Sequence, residues 1–78
     1  MDNKVFEEVV EIISGILEVP VESLGEDTAI GDVEKWDSLH HLQIISAIEK
    51  HYDIRFTPDI MIDLEDISDI VNAVSIRI

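Results

Sequence analysis

The sequence has no cysteine, so it can form neither disulfide bonds nor thiolate metal sites. Basic residues are scarce: 5 Lys and Arg stand against 18 Asp and Glu, which gives a formal net charge of −13 at pH 7. Phosphates would repel such a chain, and we therefore expect no nucleic-acid partner. The expected partners are proteins with basic docking surfaces, because opposite charges attract over long range.

Long apolar runs are missing as well. No segment approaches the roughly 18 apolar residues that a membrane span requires. The N-terminus also lacks the basic stretch and apolar run of a signal peptide, so we expect a cytoplasmic protein. The 78 residues have room for one hydrophobic core, and we expect a single, monomeric domain.

Apolar residues recur at helical spacing in four segments, which predicts an all-α protein. Residues from about 3 to 18 form the clearest helix, with glutamates on the face opposite the apolar side chains. Pro20 ends this helix, because proline disfavours helical geometry in the residue before it. The apolar face comprises Val5, Phe6, Val9, Val10, Ile12, Ile13, Ile16 and Leu17.

Residues 20–37 are punctuated by Pro20, Gly25 and Gly31, which predicts one long loop between the first two helices. Loops of this length are usually either functional or disordered. Apolar residues along this one argue for order, because they can hold it against the helices. These expected anchors are Val21, Leu24, Ile30, Val33 and Trp36.

A second helix is predicted over residues 38–52, with Asp37 as its N-cap because a carboxylate can accept the free amides of a first turn. After a short extended stretch at 54–57, a third, short helix is predicted over about 58–64, and Asp66 caps a last helix. The sum is a small four-helix bundle with three longer helices and one short one. The expected core-facing residues are Ile44, Ile45, Ile48 and Tyr52, then Ile60, Met61 and Leu64, and finally Ile67, Ile70, Val71, Val74 and Ile78.

Two leucines do not fit this core. Leu39 and Leu42 lie together on nearly the opposite side of the second helix, with Ser46 between them. A helix with one buried stripe does not need apolar residues there. We therefore expect them to be exposed, unless the long loop or the third helix covers them.

Ser38 lies where the long loop meets the second helix, within Trp36-Asp37-Ser38-Leu39. At this place a serine hydroxyl can be exposed, and the free amides and positive dipole end of the helix favour a phosphate. The ordinary alternative is that Asp-Ser-Leu only begins a helix, as it does in many proteins. The tripeptide alone is weak evidence for a function.

The longer stretch from Trp36 to Phe56 resembles the second helix of acyl carrier proteins and related phosphopantetheine-binding carrier domains. Their pattern is Asp-Ser-Leu, apolar residues at helical spacing, a glutamate, an aromatic residue and a short extended piece. The matching residues are Asp37, Ser38 and Leu39; Leu42, Ile44, Ile45 and Ile48; Glu49; Tyr52; and Ile54 with Phe56. Size, acidity and helix order extend the resemblance over the whole chain, which implies one carrier domain over residues 1–78.

The resemblance implies that a phosphopantetheinyl transferase attaches 4'-phosphopantetheine from coenzyme A to Ser38. An acyl- or aminoacyl-activating ligase then loads the thiol of this arm, and downstream biosynthetic enzymes use the thioester. The chain itself is expected not to be an enzyme. Partners of such carriers dock on the second helix, which implies a role for Leu39 and Leu42 with the acidic residues Glu49 and Asp53. The wider acidic rim comprises Glu34, Asp37, Glu49, Asp53 and Asp59.

The chain departs from the carriers of fatty-acid synthesis. Those favour acidic residues just after Asp-Ser-Leu and again in mid-helix, where this chain has His40 and Gln43. We therefore expect a dedicated pathway with its own ligase, such as natural-product or cell-surface polymer synthesis. Trp36 before the aspartate is similar to stand-alone carriers of that kind.

Neither His40 nor His41 is expected to be catalytic, because no cysteine is available and no carboxylate has an obvious orienting position. His41 falls on the core-facing arc and should be packed, whereas His40 should be exposed. No metal site is expected, because the acidic segments lack the ligand spacing of a calcium loop. The alternative function is an acidic helical adaptor or nucleic-acid mimic that binds a basic protein without a prosthetic group and without needing Ser38.

Overall fold

The computed structural model of the protein describes residues 3–78, which form four α-helices and one short 3-10 turn. Within that part of the chain there is no β-strand, and the predicted all-α class is confirmed. No helix there is both long and apolar enough to cross a membrane. The helices are α1 (Asn3–Leu17), α2 (Ser38–Tyr52), α3 (Pro58–Asp63) and α4 (Ile67–Arg77), and the 3-10 turn (Val21–Ser23) follows α1.

The core lies where α1 packs against both α2 and α4. Nearly all of its residues are branched aliphatic side chains, and Trp36 is its largest member. Each fully buried aliphatic or aromatic side chain contributes roughly 1.5–3 kcal/mol to folding. The buried residues are Val5, Val9, Val10, Ile13 and Leu17 of α1; Leu24 and Trp36 of the loop; Ile44, Ile45 and Ile48 of α2; Phe56 and Leu64; and Ile67, Ile70, Val71, Ala73 and Val74 of α4.

The predicted core faces are confirmed apart from two residues. Val21 keeps 41% of its surface exposed at the start of the 3-10 turn, so it is not the buried anchor of the loop that was expected. Ile78 is 61% exposed, because it follows the last helical residue, Arg77, and the helical spacing no longer directs it inward. At the margin of the core the side chains are half-buried, as at Phe6, Ile12, Ile16, Tyr52, Ile60 and Met61.

Two aspartates cap helices as predicted. The Asp37 carboxylate accepts the amide of His40 at 2.9 Å at the start of α2. The Asp66 carboxylate accepts the amide of Asp69 at 2.7 Å at the start of α4. Both aspartates have extended backbone, which is the usual geometry of an N-cap and lets the side chain fold back onto the first turn.

The long loop is held by hydrogen bonds to the start of α4. The amides of Ile67 and Ser68 donate to the carbonyls of Thr28 and Glu26 at 3.0 and 2.9 Å, and the amide of Ile30 donates to the carbonyl of Glu65 at 3.0 Å. Amides in a first helical turn have no partner within the helix. The loop therefore supplies acceptors that α4 needs, and it is ordered in return.

Replacing Asp66 with alanine should lower the free energy of unfolding by about 1 kcal/mol, because the Asp69 amide loses its acceptor. Urea denaturation measures this. Asp63→Ala is the matched control, since it removes the same charge from an exposed side chain and should change stability by less than about 0.5 kcal/mol. Equal losses in the two variants would contradict a capping role.

Candidate functional site at the start of helix α2

Ser38 is the first residue of α2, and it is exposed. Asp37 turns its carboxylate to the amide of His40, and its carbonyl accepts the amide of His41 at 2.9 Å. The amides of Ser38 and Leu39 remain at the open end of the helix, where an α-helix has no internal acceptors. The serine hydroxyl therefore stands beside free amides at the positive end of the helix dipole.

The backbone before Ser38 is fixed by a compact set of hydrogen bonds. The Trp36 amide donates to the Val33 carbonyl, and the Trp36 carbonyl accepts the amide of Gly31, both at 2.9 Å. Gly31 has a φ of 95°, a conformation that side-chain-bearing residues rarely adopt, so a glycine is required there. These hydrogen bonds thus fix the position of Asp37 and Ser38 at the start of α2.

The Trp36 indole is only 1% exposed, and its Nε1–H donates to Nδ1 of His41 at 2.9 Å. The two rings also stack, with their centroids 5.9 Å apart. Because Nδ1 accepts the hydrogen bond from Trp36, the neutral His41 ring carries its proton on Nε2. His41 is half-buried, which confirms that it packs, and its hydrogen bond with Trp36 joins the loop to α2.

Burial lowers the pKa of His41, although the hydrogen bond to the Leu64 carbonyl opposes that shift. A protonated ring cannot accept from Trp36, because both of its nitrogens would then be donors. Above the ordinary imidazole range His41 is neutral, and the hydrogen bond from Trp36 is intact.

His40 is oriented by a carboxylate, and the expectation that neither histidine has one nearby is wrong here. Nδ1 of His40 lies 2.8 Å from Oδ1 of Asp37, the same oxygen that accepts the His40 amide. The His40 amide, and then its ring, hold the pKa of Asp37 below its usual value. The third residue after an N-cap lies beside the capping side chain, so the His40 ring can reach the carboxylate that already accepts the His40 amide. His40 is half-buried rather than fully exposed.

Leu39 and Leu42 are 63% and 62% exposed, so the helical-wheel placement off the core is confirmed. Neither the loop nor α3 covers them. Ser46, one turn further along α2, is exposed as well. These two leucines present an apolar surface in the first two turns of α2, next to Ser38.

Glu49 and Asp53 lie at the far end of α2. At 1.5 Å per residue they are roughly 16 and 22 Å along the helix axis from Ser38. Glu49 is half-buried, and its Oε2 accepts the amide of Phe56 at 2.8 Å, so it also fixes the extended segment after α2. Asp53 is exposed, and its φ of 55° ends the helix. Both border an open polar cleft that also includes Lys50 and Arg55.

An exposed serine at a helix start, beside exposed apolar side chains on a small acidic helical protein, is the arrangement that the resemblance to carrier proteins predicts. In agreement, the protein-family model described as the phosphopantetheine attachment site matches residues 7–74. The chain therefore belongs to the phosphopantetheine-binding family, whose domains carry 4'-phosphopantetheine covalently on a serine. A comparison with curated proteins gave no match.

His41→Ala should lower the free energy of unfolding by about 1–3 kcal/mol at pH 7.5, because the buried Trp36 N–H loses its acceptor. The folded state lowers the pKa of His41, so the unfolded state binds its proton more readily. The contribution of His41 to the free energy of unfolding is therefore complete above the unfolded pKa of about 6.5. It is lost as the pH falls from there through the lower pKa of the folded state.

The measurement is urea denaturation followed by Trp36 fluorescence at pH 7.5 and pH 5.5. The difference in the free energy of unfolding between the original sequence and His41→Ala should shrink at the lower pH. His51→Ala serves as the control, because His51 is exposed and does not contact Trp36. A difference that stayed constant with pH would contradict a neutral His41 as the acceptor.

Proposed function

We propose that residues 1–78 form one carrier domain that holds an acyl or aminoacyl group as a thioester on 4'-phosphopantetheine attached to Ser38. The chain presents this cargo to partner enzymes and catalyses no reaction itself. One observation carries the assignment of the serine: Ser38 is an exposed hydroxyl at the start of a helix, held there by an ordered loop.

The other five serines support this choice by their surroundings. Ser14, Ser23 and Ser68 donate their hydroxyls to Val19, Pro20 and Asp66. Ser75 has a buried hydroxyl, which a transferase could not reach. Ser46 is exposed but lies in the middle of α2, away from any free helix end.

The residues around Ser38 fit a phosphodiester. The open amides and the helix dipole favour an anion at this position. The Asp37 carboxylate opposes it, but that carboxylate is turned to the amide and ring of His40. Transfer from coenzyme A forms the bond between the Ser38 oxygen and phosphorus, breaks the pyrophosphate bond, and releases adenosine 3',5'-bisphosphate with the serine proton.

We further propose that partner enzymes dock on the start of α2 through Leu39 and Leu42, with Glu49 and Asp53 extending the acidic part of the surface. The exposure of the two leucines supports this proposal, because large apolar side chains without a folding role often mark an interaction surface. The acidic side chains attract basic partners and affect the association rate more than the affinity. These partners include the phosphopantetheinyl transferase and the activating ligase.

A dedicated biosynthetic pathway remains our proposal for the setting. His40 and Gln43 replace acidic residues that carriers of fatty-acid synthesis favour, and the His40 ring occupies the Asp37 carboxylate beside Ser38. Enzymes that require acidic side chains at these two positions would bind this chain weakly.

Attachment is tested by intact mass after incubation with a broad-specificity phosphopantetheinyl transferase, coenzyme A and Mg²⁺. The original sequence should gain one phosphopantetheine. Ser46→Ala, which removes the matched exposed serine on the same helix, should gain one as well. Ser38→Ala should gain none and remain folded, because Asp37 still caps the helix. If no form gains mass, an acidic adaptor that binds a basic protein becomes the better explanation; modification of Ser38→Ala would place the arm elsewhere.

Docking is tested by Leu42→Asp, which should lower the catalytic efficiency of the transferase about tenfold by removing apolar contact area near the serine. Steady-state kinetics with the carrier as the varied substrate measures this. Ile76→Asp is the control, because Ile76 is 80% exposed on α4, outside the proposed surface. Equal effects of the two substitutions would contradict docking through Leu42.

A further inference from the structure

A second apolar surface lies away from Ser38, where the 3-10 turn packs beside α1. It is an open groove of about 270 Å³. None of its residues belongs to α2, α3 or α4. The groove is lined by Phe6, Glu7, Val10 and Glu11 of α1 and by Val21, Glu22 and Leu24 of the following segment.

The groove has an apolar floor and apolar walls. Val10 and Leu24 are each only 5% exposed and close the floor. Phe6 is half-buried on one side, and Val21 is 41% exposed on the other. The sequence predicted Val21 to hold the loop against the helices, but the fold leaves it at the surface. Its exposure therefore adds to the groove and not to the core.

The rim of the groove is acidic. Glu7, Glu11 and Glu22 are all exposed, and no lysine or arginine is among the residues 3–78 that line the groove. This arrangement favours an occupant that carries positive charge on both sides of an apolar stripe. An amphipathic helix with basic flanks has this shape, because apolar residues at four-residue spacing lie on one face.

Two other occupants fit less well. Pockets for small molecules are usually at least about 300 Å³ and enclose most of the ligand, whereas this groove is smaller and open. A second copy of the chain would bring another net charge of −13 toward the same acidic rim, which opposes self-association.

We propose that this α1 groove is a docking site for a cationic amphipathic helix of a partner protein. The apolar face of that helix covers Phe6 and Val21, and its lysine or arginine side chains pair with the three glutamates. The site does not involve Ser38 or the leucines of α2. A partner bound there holds the carrier while the start of α2 stays accessible, so the proposal does not depend on attachment at Ser38.

The probe is a synthetic peptide of about 14 residues, or four helical turns, with leucines four positions apart and lysines on both flanks. It is titrated into the full chain labelled with ¹⁵N, and two-dimensional NMR follows each backbone amide. The largest shifts should fall on Phe6, Val10, Val21 and Leu24. A scrambled peptide of the same composition should bind at least about tenfold more weakly, because it has no apolar face.

Two variants of the groove test the contacts separately. Val21→Asp should weaken binding of the peptide at least about tenfold, since it places a charge where the apolar face packs. Glu22→Lys should weaken binding several-fold at low salt through repulsion. Glu65→Lys is the matched charge control, because Glu65 is exposed and lies outside the groove, and it should have a smaller effect.

Several results would overturn the proposal. Shifts centred on Leu39 and Leu42 would place the peptide on α2. Equal binding of the scrambled peptide, or equal effects of Glu22→Lys and Glu65→Lys, would show attraction to the net charge alone. Shifts of the groove amides that depend on protein concentration without peptide would identify a second copy as the occupant.

Discussion

The hydrogen bond from the buried Trp36 indole to His41 is the interaction on which the arrangement of the site depends. An indole N–H inside a core must have an acceptor, because leaving it unpaired costs about 1–3 kcal/mol. His41 supplies that acceptor from the first turn of α2. A single neutral ring thereby joins the loop that ends at Ser38 to the helix that Ser38 begins.

Only some of the acidic residues take part in the fold. Asp37 and Asp66 cap helices, and Glu49 accepts the backbone amide of Phe56. The Glu18–Lys35 ion pair is exposed on both sides, where such pairs contribute little to stability. Most of the remaining carboxylates face solvent, so the charge of −13 acts mainly at the surface. The net charge therefore contributes little to the fold, and its main effect is on the association of charged partners.

Features that depend on nearby residues could be predicted from the sequence. The bounds of α2, the two aspartate caps and the exposure of Leu39 and Leu42 all follow from helical spacing and first-turn chemistry. The contact between His40 and Asp37 is also local, but helical spacing alone does not reveal it, because it joins the N-cap to a ring three residues later. The outward position of Val21 and the bond from Glu49 to Phe56 depend on how the chain returns on itself, which periodicity does not describe.

The pairing of the long loop with the start of α4 determines when the protein can fold during its synthesis. Residues 26–30 find their partners in residues 65–68, and the loop in turn holds Trp36 and the start of α2. A ribosome must therefore release most of the chain before the surroundings of Ser38 can assemble. An enzyme that requires this folded surface can act only after residues 65–68 have left the ribosome and paired with the loop.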